Sequence, residues 1–221
     1  MQKEWKMELP IQDRKAAGQA LAEALQKYRK YEDPIVLGLP RGGVPVAAEI
    51  AGALGAELDL LLVRKLGTPG QKELAMGAIA SVGNPVINED VVRSLGISEA
   101  EIHQVEVAER RELERRERLY RGDRHPPKLT KRCVILVDDG LATGATMRAA
   151  VNAARQDKPA RLVIAVPVAP ADTVEMLGSQ VDDLVCLAMP DYFRAIGIWY
   201  VDFSQVSDDE VRQILEKFWR A

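Results

Sequence analysis

Histidine, cysteine and aromatic residues are scarce in this chain, and each scarcity closes a class of function. The two histidines, His103 and His125, do not stand at metal-ligand spacing, so a zinc site is excluded and both read as surface residues without a role. The two cysteines, Cys133 and Cys186, lie in apolar, strand-like runs; they read as small buried residues in a reducing compartment, not as a disulfide. Long hydrophobic runs are missing too. The longest near-apolar stretch, Leu162 to Ala171, is ten residues with two prolines, too short to span a bilayer. Met1 to Pro10 is polar apart from one tryptophan and has no apolar signal core, which makes the cytoplasm the expected location. Thirty basic against 33 acidic residues leave a net charge of −3, so there is no global basic field to hold nucleic acid.

What remains is ordinary globular composition. Of 221 residues, 47% are hydrophobic and 29% charged, enough to bury a core without disulfides and consistent with a single domain over residues 1–221. Helical spacing marks Asp13 to Lys30, Val44 to Leu54, Ser98 to Arg121 and Thr143 to Gln156, with a shorter turn at Asp172 to Leu177. Ser98 with Glu101 and Ser207 with Glu210 are capping signals, the second opening a C-terminal helix. Apolar strand runs occur at Ile35 to Leu39, Leu58 to Val63, Arg132 to Val137, Arg161 to Val168 and Leu184 to Ala188. Leu74 to Val82 and Pro85 to Asn88 read as a pair of short strands, and Arg64 to Gln71, punctuated by glycine and proline, as a loop. Strands alternating with helices predict an α/β fold with a mainly parallel sheet whose ligands sit at the carboxyl ends of the strands. Arg110 to Arg121 is rich in arginine but interleaved with glutamate, the pattern of a solvated helix with i,i+4 ion pairs.

The most informative stretch runs from Val134 to Thr146. A buried strand delivers Asp138 and Asp139; Gly140, Leu141, Ala142, Thr143, Gly144, Ala145 and Thr146 then lead into a helix. Free N–H groups and the dipole at such a helix start suit a phosphate, with the threonine hydroxyls as further donors. Adjacent carboxylates repel phosphate but accept hydrogen bonds from the two hydroxyls of a ribose, or approach Mg²⁺ through water. A pair of aspartates that only caps the helix is the plainer alternative. Neither a Walker A lysine nor dinucleotide-fold glycine spacing is present.

Three further segments carry chemistry. Arg41, Gly42 and Gly43 end one strand and open a helix, where glycine permits close backbone approach and the arginine fork suits phosphate. Arg64 and Lys65 end another strand. Asp183 to Phe203 gathers much of the sparse aromatic content, including Phe193, Trp199 and Tyr200 next to Arg194 and Asp202; an aromatic there suits a flat base, and a hydrophobic seam is the alternative.

Val-Asp-Asp-Gly-Leu-Ala-Thr-Gly-Ala-Thr resembles the phosphoribosyl pyrophosphate (PRPP) loop of type I phosphoribosyltransferases, and the likeness extends over about Pro34 to Phe203, closest to an uncharacterised bacterial and archaeal group of that family. The resemblance implies a parallel sheet flanked by helices with a small hood: a core of about 34–190, a hood from about 183–205 with the N-terminal segment, and a charged helical insertion at about 98–121. It implies Mg²⁺-dependent transfer of 5-phosphoribosyl from PRPP to a nucleobase-like acceptor, and suggests a homodimer. Asp138 and Asp139 would then hold the ribose hydroxyls and approach Mg²⁺ through water or PRPP. Residues 140–146 would wrap the 5′-phosphate, while Arg41, Gly42 and Gly43, with Arg64 and Lys65, would meet pyrophosphate. The stretch from Met189 is similar to the purine-binding segment of hypoxanthine-type enzymes, matching Phe193 to the stacking phenylalanine and Arg194 to its neighbour, with Asp202 one insertion away from the matching acid. Two departures keep the base open: Ala142 stands where those enzymes carry an aspartate, and Val166 to Pro170 lacks their lysine. A non-catalytic sensor of PRPP or a nucleotide on the same fold is the alternative; a pyrophosphokinase would require an ATP site that the sequence does not display.

Overall fold

The computed structural model describes residues 7–220, with the side chains of residues 72 and 73 left aside; residues 1–6 of the segment expected in the hood lie outside the described residues. Five strands form the main sheet: β1 (Ile35–Gly38), β2 (Glu57–Leu60), β6 (Cys133–Val137), β7 (Arg161–Val168) and β8 (Asp183–Ala188). All pair in parallel, in the order β2-β1-β6-β7-β8. The central strands β1, β6 and β7 are buried on both faces almost throughout, as parallel strands with crossover helices must be, while the edge strand β8 is half-buried. Val36, Ile135 and Val163 face one layer with α1 (Arg14–Ala24) and α2 (Gly43–Leu54), while Leu37, Leu136 and Ile164 face the other with α5 (Ala145–Gln156) and α6 (Ala171–Gly178).

A second, antiparallel sheet comprises β3 (Val63–Thr68), β4 (Gln71–Ala80) and β5 (Val86–Ile87). Here the structure departs from the expected loop at Arg64 to Gln71. Only Pro69 and Gly70 turn; the rest pairs with β4, burying Leu66 and Thr68. The partner strand supplies the hydrogen bonds that outweigh the local breaker residues. The expected strand Leu58 to Val63 likewise divides at Leu61–Leu62 into β2 and β3, and the helix expected to reach Lys30 stops at Ala24, with a 3₁₀ turn over Gln26–Lys30.

Helix α3 (Glu89–Leu95), capped by Asn88, was not anticipated. The long helix α4 (Glu99–Arg121) starts on the reciprocal Ser98–Glu101 capping box. Its arginines pair along the helix, Arg110 with Glu106 and both Arg115 and Arg116 with Glu112. Arg121 pairs with Glu117 along the helix and also turns inward to Asp59. The C-terminal α7 (Asp208–Trp219) packs on α2 and α4. Cys133 is buried and Cys186 half-buried, and both are free thiols. Among the described residues no helix is long and apolar enough to cross a membrane.

Candidate active site

The main sheet changes direction between β1 and β6. The chain runs outward to β2 on one side and to β7 and β8 on the other, and a cleft opens at such a switch point above the carboxyl ends of the strands. Gly38 is level with Val137 in the β1–β6 register, so the two loops that follow leave the sheet side by side. Leu39 N–H donates to the Val137 carbonyl at 2.8 Å, joining the loops at their roots.

Contact between the loops depends on glycine. A Cβ at Gly43 would lie 2.5 Å from the Val137 carbonyl and 2.9 Å from Asp138 Cα, and a Cβ at Gly42 would overlap the Asp139 carboxylate. Thus the Arg41–Gly42–Gly43 turn and the acidic pair form one continuous surface. The Pro40–Arg41 peptide is cis. The Arg41 side chain is partly exposed and lies 4.0 Å from Asp208 at the start of α7.

Asp138 and Asp139 follow the end of β6. Burial pushes both carboxyls above the ordinary carboxylate range; mutual repulsion adds to this at Asp138, while Arg14 opposes it at Asp139. The Arg14 Nε donates to Asp139 Oδ2 at 2.8 Å, and the Tyr200 hydroxyl donates to the Asp139 carbonyl at 2.7 Å. Beyond the pair, Leu141 N–H donates to the Val168 carbonyl at 3.0 Å. Gly144, with φ of 68°, turns the chain into α5. Ala142, Thr143 and Thr146 are exposed around that helix start.

An open cleft of about 780 Å³ adjoins this loop, lined by Ala142, Thr143, Asp172, Met176, Met189 and Phe193 among others. The other aromatics of the expected base segment are placed differently. Tyr200 is buried as the strut beneath Asp139, and Trp199 is half-buried, its ring 6.2 Å from that of Phe193. Arg194 is exposed, and the exposed Asp202 accepts from Ser204 N–H at 2.9 Å. The hood that holds them includes the N-terminal segment: Ile11 bridges to Tyr200, with Ile11 N–H donating to the Trp199 carbonyl at 2.8 Å.

Arg64 and Lys65 are neighbours on β3 and so point to opposite faces. Arg64 pairs with Glu109 of α4 at 2.6 Å. Lys65 lines a separate cavity of about 480 Å³ with Ala145 and Arg148 of α5. The structure therefore brings the acidic pair, the phosphate-type loop, the Arg41 turn and Phe193 to one edge, and turns Arg64 away toward α4. Arg14 is the residue that sequence reasoning missed. Its place at the start of α1 is signalled only by Asp13, whose side chain caps the helix by accepting from Ala16 N–H at 2.7 Å.

A family model described as "Phosphoribosyl transferase domain" matches residues 9–197. A Mycobacterium tuberculosis H37Rv protein named "Putative phosphoribosyl transferase Rv0571c" is 47% identical over 208 residues, 94% of this chain and 47% of that protein. The chain thus spans about half the length of the curated relatives it matches. Among solved structures, that of TT1426 from Thermus thermophilus is 42% identical with a TM-score of 0.85, covering 96% of this chain and 99% of that one. The AQ2163 protein of Aquifex aeolicus, 10% identical with a TM-score of 0.50 over 83% of this chain and 78% of its own, shares the fold.

Proposed function

The chain belongs to the phosphoribosyl transferase domain family, and on that premise we propose that it transfers the 5-phosphoribosyl group of PRPP to a nucleobase or related N-nucleophile, releasing pyrophosphate. The observation that carries this reading is the packing of the Arg41–Gly43 turn against the Asp138–Asp139 pair at the switch point. One surface there offers backbone and guanidinium for a diphosphate, carboxylates for two ribose hydroxyls, and a helix start for a 5′-phosphate.

In this reading residues 140–146 cradle the 5′-phosphate and Asp138 and Asp139 hold the ribose. As the bond from C1′ to pyrophosphate lengthens, positive charge grows on the ribose ring, and the two carboxylates lie where they favour it. Arg41 and the N–H of Gly42 receive the negative charge of the leaving pyrophosphate; the Gly43 N–H already donates to the Leu39 carbonyl, and Lys65 faces the separate cavity beside α5. The acceptor enters through the cleft at Phe193, opposite the leaving group, so positioning rather than a protein nucleophile supplies the rate.

Mg²⁺ fits the donor chemistry here. The carboxylate oxygens of Asp138 and Asp139 are hard ligands, and among the described residues no group of three or more His, Cys, Asp or Glu forms a protein cage, which suits an ion that keeps water and substrate oxygens. When bound, the ion offsets the charge of the diphosphate. The test is pyrophosphate release from PRPP with Mg²⁺ across a panel of purine and pyrimidine bases. Base-dependent release is expected. PRPP binding with no release for any base would instead favour a sensor on the same fold.

A further inference from the structure

We propose that Arg14 is a positioning residue of the ribose site, one that holds Asp139 in place and fastens the hood to the loop carrying the acidic pair; this rests on reading the site as a PRPP cradle. Arg14 stands 125 residues before Asp139 in the chain, and its guanidinium makes three contacts at once. Its Nε donates to Asp139 Oδ2 at 2.8 Å, one terminal nitrogen donates to the Ser204 carbonyl at 2.8 Å, and its plane lies 4.1 Å over the Phe203 ring. The arginine side chain is only 12% exposed and the carboxylate 11%, so the pair is weakly screened.

The consequences differ for the two carboxylates. Asp139 has its cation. It is also held through its backbone by the Tyr200 hydroxyl, and Tyr200 bridges to Ile11. Asp138 pairs with no cation among the described residues; its Oδ1 accepts from Asp139 N–H at 2.9 Å. Arg14 therefore neutralises one charge of a repelling pair and leaves the other for the ligand. It also makes hood and ribose loop a single body, since Ser204 and Phe203 cannot move away without exposing the Asp139 contact. A lysine cannot reproduce this arrangement, because a point charge lacks the fork that reaches both the carboxylate and the Ser204 carbonyl.

The test compares two probes, PRPP and inorganic pyrophosphate, each with Mg²⁺, by calorimetry on the full chain. Arg14 acts through Asp139 on the ribose, so Arg14→Gln should weaken PRPP about tenfold, the loss of one charge-assisted contact, and leave pyrophosphate unchanged. Arg14→Lys should fall between wild type and Arg14→Gln for PRPP, again with pyrophosphate unchanged. Equal losses for both probes would make Arg14 a general structural staple and overturn the inference, as would PRPP affinity at the wild-type level. Should Arg14→Gln not fold, Arg14→Lys decides by the same two criteria. A wild-type chain that binds neither probe refutes the reading of the site itself, which is a separate outcome.

Discussion

A side-chain carbon on Gly42 would overlap the carboxylate of Asp139, so the turn after β1 and the acids after β6 share a wall that only glycine leaves intact. Gly42→Ala should force the two loops apart. The expected cost is about 1–3 kcal/mol of stability, as for other overpacked sites. A loss of PRPP affinity larger than the stability change alone explains should accompany it. Thermal unfolding and PRPP titration of the same variant check this, and a variant with wild-type behaviour in both would show that the loops do not meet as described.

Gly144 enters α5 with φ of 68°, and a Cβ there would lie 2.8 Å from Thr173 Cγ2 and 3.0 Å from Leu177 Cδ1. Gly144→Val meets both obstacles, since a β-branched residue also resists positive φ. The variant should lose PRPP binding and lose about 1–3 kcal/mol of stability. Measured binding of PRPP at wild-type strength in the folded variant would refute the phosphate cradle.

Arg121 and Asp59 form an ion pair at 3.0 Å with side chains 1% and 2% exposed. Removing one partner of such a pair strands the other charge. Arg121→Ala should therefore cost about 3–5 kcal/mol in urea unfolding. The pair lies apart from the acidic loop, so PRPP affinity of the folded fraction should hold. A cost below about 1 kcal/mol would mean that water reaches Asp59 in the variant.

The acidic pair should give opposite pH signs to stability and to binding. Burial raises both carboxyls, so the folded chain holds protons that the unfolded chain releases. The stability this contributes is complete below the ordinary carboxylate range and is lost as pH rises through the raised values. Ribose hydroxyls and Mg²⁺ need the ionised pair, so PRPP affinity should instead fall as pH drops through those same values. Titrations from pH 8 to below pH 4, with unfolding curves in parallel, check both. Affinity that stays flat until the ordinary range near pH 4 would contradict the raised pair.

Much of this architecture was legible because local and global signals agree. Val134 to Val137 is apolar without interruption, then Asp138, Gly140 and Gly144 stop it, and strand, loop and helix fall where that pattern predicts. Ser98 and Glu101 stated the start of α4 in the same local terms. The β3–β4 hairpin was not legible, since Gly67, Pro69 and Gly70 read locally as breakers and the pairing that overrides them comes from β4. Arg14 was hidden for a related reason: its partner is 125 residues away, and an arginine at a helix start gives no sign of what it reaches. Tyr200 shows the limit of residue type. Its identity left base stacking and a hydrophobic seam open; the structure buries its ring with Ile11, Ala17 and Val168, uses its hydroxyl under Asp139, and leaves Phe193 to line the cleft.

The measurement that tests the central claim most directly is calorimetric titration of PRPP with Mg²⁺ into the wild-type chain and into the Asp138→Asn, Asp139→Asn double variant. The account predicts one PRPP site per chain, and binding at least about tenfold weaker in a double variant that stays folded. Absence of binding to the wild type, or equal affinity in both proteins, would contradict it.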